Sequence, residues 1–172
     1  LEGFILAIPP FNFYSIGGNL PTAPAIAGNV VLWKPARSVI VSNYKIMEAL
    51  IEAGLPSGVI NFIPFKSRHS EPIFENNHFA GLHFTGSYQT LVHLWQTIGS
   101  NLTNYKNFPR IVGETGGKDF ILMHNSADVR HTALNILRGA FEYQGQKCSA
   151  VSRSYIPQSR WDEMKFLLLE EG

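Results

Sequence analysis

Residues 29–63, NVVLWKPARSVIVSNYKIMEALIEAGLPSGVINFI, decide how the chain folds. The β-branched and aromatic run at 29–33 predicts a strand. Ile40, Tyr44, Met47, Leu50 and Ile51 then recur at helical spacing over 38–53. Ser38 is placed to cap that helix, and Gly54 followed by Pro56 is placed to end it. A second β-like run at 59–63 closes a strand–helix–strand unit. Such a unit returns the chain parallel to itself.

The same alternation extends in both directions. Residues 3–8, 81–84, 110–112 and 119–123 read as strands, with a further strand-like run at 152–156, while 87–98 and 126–143 have amphipathic helical spacing. In the latter, Ser126 is placed to cap and Asp128 favours the positive helix end. Strands that are continuously apolar and separated by helices imply a parallel sheet covered on both faces, an α/β architecture. Glycines cluster at Gly113, Gly116 and Gly117 before a new series of elements, which places a domain boundary there. Residues 65–77 are polar and irregular and are expected to form a surface loop with a short helix.

Composition narrows the class. Of 172 residues, 45% are hydrophobic and 16% charged, the balance of a chain with a core. Fourteen Lys and Arg against thirteen Asp and Glu leave a formal charge of +1, with no basic stripe for nucleic acid or an anionic membrane. No apolar run approaches the roughly 20 residues that cross a bilayer. The single cysteine, Cys148, cannot form an internal disulfide, which suggests a reducing compartment. The chain opens on Leu1 rather than Met, which suggests a partial chain.

Several residues stand where chemistry is done. Cys148, in GQKCSA (residues 145–150), follows a helix pattern and precedes a strand, and a thiolate there could attack a carbonyl. Alternatively it is a small buried hydrophobe. Glu114, in IVGETGGK (residues 111–118), ends an apolar strand among glycines that admit close approach, and could activate water or simply occupy a turn. Asn12, between Phe11 and Phe13, is either an oxyanion donor or a turn or capping residue for the helix that follows. Lys34 ends a buried-strand pattern where ligands of open α/β sheets bind. Gly86 and Ser87 occupy a strand-to-helix junction suited to a pyrophosphate, although capping alone explains Ser87. The six histidines show no HExxH arrangement, and with no cysteine pair metal chemistry is set aside. A hydrolase pairing Cys148 with His124 or His131 remains open by spacing.

Taken in order, PFNF (10–13), WKP (33–35), FTGS (84–87), GETGGK (113–118) and GQKC (145–148) resemble the aldehyde dehydrogenase superfamily. The strings IGGNL (16–20) and GQKCSA, and FTGS with Leu94-Trp95, are most similar to its pyrroline-5-carboxylate (glutamate-semialdehyde) branch. The resemblance implies part of a Rossmann-like NAD(P)-binding domain at 1–115, running into the start of the α/β catalytic domain at 116–172. It implies Cys148 as nucleophile, Glu114 as general base, Asn12 at the oxyanion and Ser149 at the substrate. Lys34 would meet the adenosine ribose, and Gly86 and Ser87 the pyrophosphate.

The implied reaction is oxidation of glutamate semialdehyde to glutamate with NAD, or NADP. No metal, nucleic acid or membrane enters it, and the whole enzyme would be a homo-oligomer of the mitochondrial matrix, or cytoplasmic if bacterial. Arg37 departs from relatives that carry an acidic or neutral residue near the ribose, and a guanidinium there could accept a 2′-phosphate. The family's enzymes are much longer, with an acidic ribose ligand, a substrate-carboxylate loop and an oligomerising arm that this chain lacks. A non-catalytic nucleotide-binding or interaction module, and an aldehyde dehydrogenase of another substrate class, are therefore the rival expectations.

Overall fold

The computed structural model describes residues 2–172 and divides into two compact units, Leu1–Thr115 and Gly116–Gly172. In the first, the elements run β1 (Phe4–Ile8), α1 (Tyr14–Ile26), β2 (Val30–Trp33), α2 (Ile40–Glu52), β3 (Ile60–Phe62), α3 (Glu71–Phe74), β4 (Phe79–Thr85), α4 (Tyr88–Ser100) and β5 (Arg110–Glu114). All five strands are parallel, in the order β3-β2-β1-β4-β5. The chain builds outward from β1 through β2 to β3, then restarts on the other side with β4. That reversal creates a switch point between β1 and β4, the place where open α/β sheets bind ligands beyond their strand ends.

The inner strands β1, β2 and β4 pack on both faces because successive side chains along a strand point to opposite sides, whereas the edge strand β5 is largely exposed, so the expected two-sided cover stops short of it. Ile5, Ala7, Val31, Trp33 and Ile60 pack with Leu20 of α1 and Met47 of α2. Leu6, Leu82 and Phe84 pack with Phe74, Leu94 and Ile98, under α3 and α4. The helix α1 contains Gly17, Gly18, Pro21 and Pro24, a poor composition for a helix. Packing explains its presence: at Gly17 an added Cβ would meet the Oδ1 of buried Asn43 at 2.5 Å, so α1 approaches α2 as closely as glycine allows.

The second unit contains β6 (Asp119–Leu122), α5 (Val129–Phe141), β7 (Val151–Tyr155) and α6 (Trp161–Glu171). The two strands pair in parallel, and α5 and α6 enclose a small core of Met123, Val129, Ala133 and Met164.

Two expected caps are corrected. A 3-10 turn, Arg37–Val39, precedes α2, whose N-cap is Val39 with no side-chain hydrogen bond, so Ser38 does not cap. In α5 the cap is Asp128, which accepts from the His131 amide at 2.6 Å, while Ser126 bonds the His124 ring instead. The Asp128 carboxylate captures the helix N-terminus because it lies immediately before the first helical residue. The expected Gly54 stop is present, at φ +94. The polar stretch after β3 holds a 3-10 turn, Ser67–His69, as well as the short α3.

Candidate active site

Parallel strands bring all their carboxyl ends to one edge, and the first unit carries five of the candidate residues there. Asn12 follows β1, half-buried and one residue before Phe13, the N-cap of α1, so Asn12 itself is not that cap. Lys34 directly follows β2, its backbone N–H donating to Ala7 at 2.9 Å to extend the ladder with β1. Gly86 and Ser87 follow β4, and Glu114 is the last residue of β5, opposite Thr85 in register. The Gly86 N–H donates to the Glu114 carbonyl at 3.1 Å, which ties the ends of β4 and β5 together.

Ser87 caps α4, its hydroxyl accepting from the Thr90 N–H at 3.3 Å. No acidic side chain occupies the first turn of α4. Its N-terminus thus keeps the partial positive charge that favours a phosphate.

Lys34 is half-buried with its ammonium 5.5 Å from the Phe65 ring centre. Burial holds its pKa below the ordinary lysine value. It lines a cleft of about 590 Å³ with Arg37, Phe65, Lys66, Arg68 and His69, just beyond the carboxyl ends of β2 and β3. The gathering of Lys66, Arg68 and His69 about Lys34 was not read from the sequence, where they fall in an irregular stretch some thirty residues away.

Cys148 and Ser149 lie in the second unit, on the loop between α5 and β7. Cys148 is half-buried and Ser149 exposed. The Cys148 carbonyl accepts from the Gly117 N–H at 3.1 Å. A Cβ at position 117 would strike that carbonyl and the Asp119 carboxylate, so glycine is required for the loop to seat. Ahead of Cys148, Tyr143, Gln144 and Gly145 adopt φ of 53, 53 and 67 in succession. Left-handed backbone costs a non-glycine residue roughly 1–2 kcal/mol, and such strain concentrates at functional loops. Lys147 bonds Glu142 at 2.5 Å, and that hydrogen bond lowers the pKa of the Glu142 carboxyl.

Among the described residues, no group of three or more His, Cys, Asp or Glu side chains forms a set that could hold a metal ion. Nor is any helix long and apolar enough to cross a membrane.

The model of the aldehyde dehydrogenase family matches residues 2–171. The chain is 57% identical over 168 residues to a mitochondrial delta-1-pyrroline-5-carboxylate dehydrogenase of Dictyostelium discoideum, covering 96% of this chain and 30% of that protein. The human mitochondrial protein of the same name is 49% identical over 172 residues, covering 99% of this chain and 31% of that one. Among solved structures, the Mycobacterium tuberculosis Delta-pyrroline-5-carboxylate dehydrogenase bound with NAD superposes with a TM-score of 0.95 at 50% identity, covering 99% of this chain and 32% of that one. The chain therefore spans about a third of the length of the relatives it matches.

Proposed function

This chain belongs to the aldehyde dehydrogenase family, and we propose on that footing that the protein carrying it oxidises L-glutamate γ-semialdehyde, or 1-pyrroline-5-carboxylate, to glutamate with NAD or NADP. One observation carries the reading. About half of all residues are shared, across essentially the whole chain, with proteins named for that substrate.

The residues fit a dinucleotide. Lys34 offers a half-buried ammonium at the adenosine ribose, and the Ser87-capped N-terminus of α4, with Gly86, offers amides to a pyrophosphate. When bound, the nicotinamide supplies the hydride acceptor.

In the proposed reaction the Cys148 thiolate adds to the aldehyde carbon, giving a thiohemiacetal. The Asn12 side-chain amide and the Cys148 backbone N–H donate to its oxyanion. Loss of a hydride from that carbon leaves a thioester on Cys148. Glu114 takes a proton from water as the water oxygen attacks the thioester carbonyl. Collapse expels the Cys148 thiolate and releases glutamate. Ser149, beside the nucleophile, borders the bound aldehyde. The resemblance further supports a homo-oligomeric enzyme of the mitochondrial matrix, and the names of several relatives carry the mitochondrial assignment.

The test is cofactor reduction by the full-length protein with pyrroline-5-carboxylate. Cys148→Ala is expected to lower the rate by about a thousandfold or more, as loss of a covalent nucleophile does. An unchanged rate would refute the reading.

A further inference from the structure

Helix α1 is interrupted twice by proline. Pro21 and Pro24 lack the N–H that would pair with the carbonyls of Gly17 and Leu20, four residues back, and each ring pushes that carbonyl aside. The Thr22 hydroxyl, which donates to the Gly18 carbonyl at 2.8 Å, bends the same turn. Leu20 is buried in the cluster shared by β1, β2 and α2. A carbonyl orphaned in such a place needs a donor from elsewhere in the fold.

The donor comes from the sheet. His83, on β4, places its Nδ1 2.9 Å from the Leu20 oxygen. A carbonyl only accepts, so the ring hydrogen of that bond is on Nδ1. In register His83 stands between Ala7 of β1 and Val112 of β5. The bond therefore ties α1, which leaves β1, to the strand on the other side of the switch point.

The consequence lies at the start of the helix. The ladders to β2 and β4 hold β1 on both sides, and Pro9 and Pro10 leave the chain after it little freedom. Asn12 stands where the start of α1 puts it, since Phe13 is the N-cap and its carbonyl accepts from the Gly17 N–H at 3.0 Å. What holds Leu20, at the end of the helical stretch before the prolines, also holds Asn12. Resting on the reading of Asn12 as an oxyanion donor, we propose that His83 is a positioning residue for Asn12, its Nδ1–H replacing the backbone donor that Pro24 withholds and keeping the first half of α1 seated on β4.

Single-turnover reduction of NAD by full-length enzyme in excess over pyrroline-5-carboxylate, with NAD binding measured by calorimetry, tests this assignment. Asn12→Ala is expected to slow the turnover about a hundredfold and His83→Leu about tenfold, with NAD affinity within about twofold of the parent in both. His83→Asn is expected to restore the parent rate, because its amide nitrogen takes the place of Nδ1. In a Pro24→Ala background residue 24 regains an N–H for Leu20, and His83→Leu is expected to cost less than about twofold. It is expected to cost equally little in an Asn12→Ala background, where no donor remains to be positioned. A residue serving stability alone would lower the fraction of active enzyme and leave the rate constant of that fraction unchanged.

A parent rate in His83→Leu beside a slow Asn12→Ala would overturn this inference and leave the dehydrogenase reading standing. The same loss in both Pro24 backgrounds, or NAD binding weakened in step with the rate, would also overturn it. A parent rate in Asn12→Ala would remove the oxyanion role of Asn12 and this inference with it, while Cys148→Ala still tests the dehydrogenase reading. Should His83→Leu fail to fold, NMR of the imidazole nitrogens in the parent protein decides: the expected spectrum has a hydrogen on Nδ1 of His83, and a bare Nδ1 would overturn the proposal.

Discussion

In Leu1–Thr115 the inner strands of a five-stranded parallel sheet pack on both faces, and the side chains of β1 that point to either side, Ile5 and Ala7 or Leu6, find separate packed clusters, while the edge strand β5 is largely exposed. In Gly116–Gly172 two strands and two helices enclose a core of four buried residues, while Phe120 and Leu122 on β6 stay 60% and 73% exposed. A lone strand pair lies below the three or so strands that give a sheet stability of its own. The larger unit thus holds two packed clusters, one on each side of its inner strands, whereas the unit that carries Cys148 has one small core. The match to about a third of each relative's length is consistent with that difference.

The largest expected effect follows directly. Residues 1–115, expressed alone, should unfold in one cooperative thermal transition; residues 116–172, expressed alone, should show none. Circular dichroism melts of the two pieces would decide it, and a cooperative melt of the second would break the comparison. At single positions, Leu6→Ala should cost about 3 kcal/mol, because Leu6 is fully buried and the surrounding sheet cannot collapse around the void. Leu122→Ala in the same 172-residue chain should stay within roughly 0.5 kcal/mol, as for exposed positions. Denaturant midpoints of both variants measure the gap; a cost of several kcal/mol at Leu122 in the full-length protein would identify β6 as covered there.

The smallest effect concerns the loop before Cys148. Lys147 lowers the pKa of the exposed Glu142 carboxyl. A carboxyl whose folded pKa lies below its unfolded one contributes stability above the unfolded value, and loses it as pH falls through the folded value. The contribution is therefore present at neutral pH and fades in acid, and exposure keeps it small. Lys147→Met should move the Glu142 titration, followed by NMR, back toward the ordinary carboxylate value. An unmoved titration would contradict the assignment.

Much of the sheet was readable because parallel strands buried on both faces are continuous apolar runs, as in residues 4–8 and 30–33. The helix α2 was readable from its apolar spacing, yet its start was not. Ser38 looks like a cap, but the chain spends 37–39 in a 3-10 turn before committing to the helix at Ile40. No bounds were readable for α1, since Pro21, Pro24 and paired glycines argue against a helix that close packing on Asn43 nonetheless imposes. The helix α6 escaped for the opposite reason: Phe166 and Leu169 lie on its exposed side, so its apolar residues trace no single face.

The candidate residues of the first unit could be found because each ends or follows a strand, and parallel strands share one carboxyl edge. The basic cleft could not. Lys66, Arg68 and His69 belong to an irregular stretch with no period, and only the pairing of β2 with β3 brings it beside Lys34 and Arg37.

The proposed division of labour between Cys148 and Glu114 is tested most directly in the full-length Glu114→Gln variant, mixed rapidly with pyrroline-5-carboxylate and cofactor. The expected result is a burst of reduced cofactor equal to the enzyme, then slow turnover, with intact mass spectrometry finding an acyl group on Cys148. A steady-state rate equal to the parent enzyme, with Cys148 unmodified throughout, would contradict it.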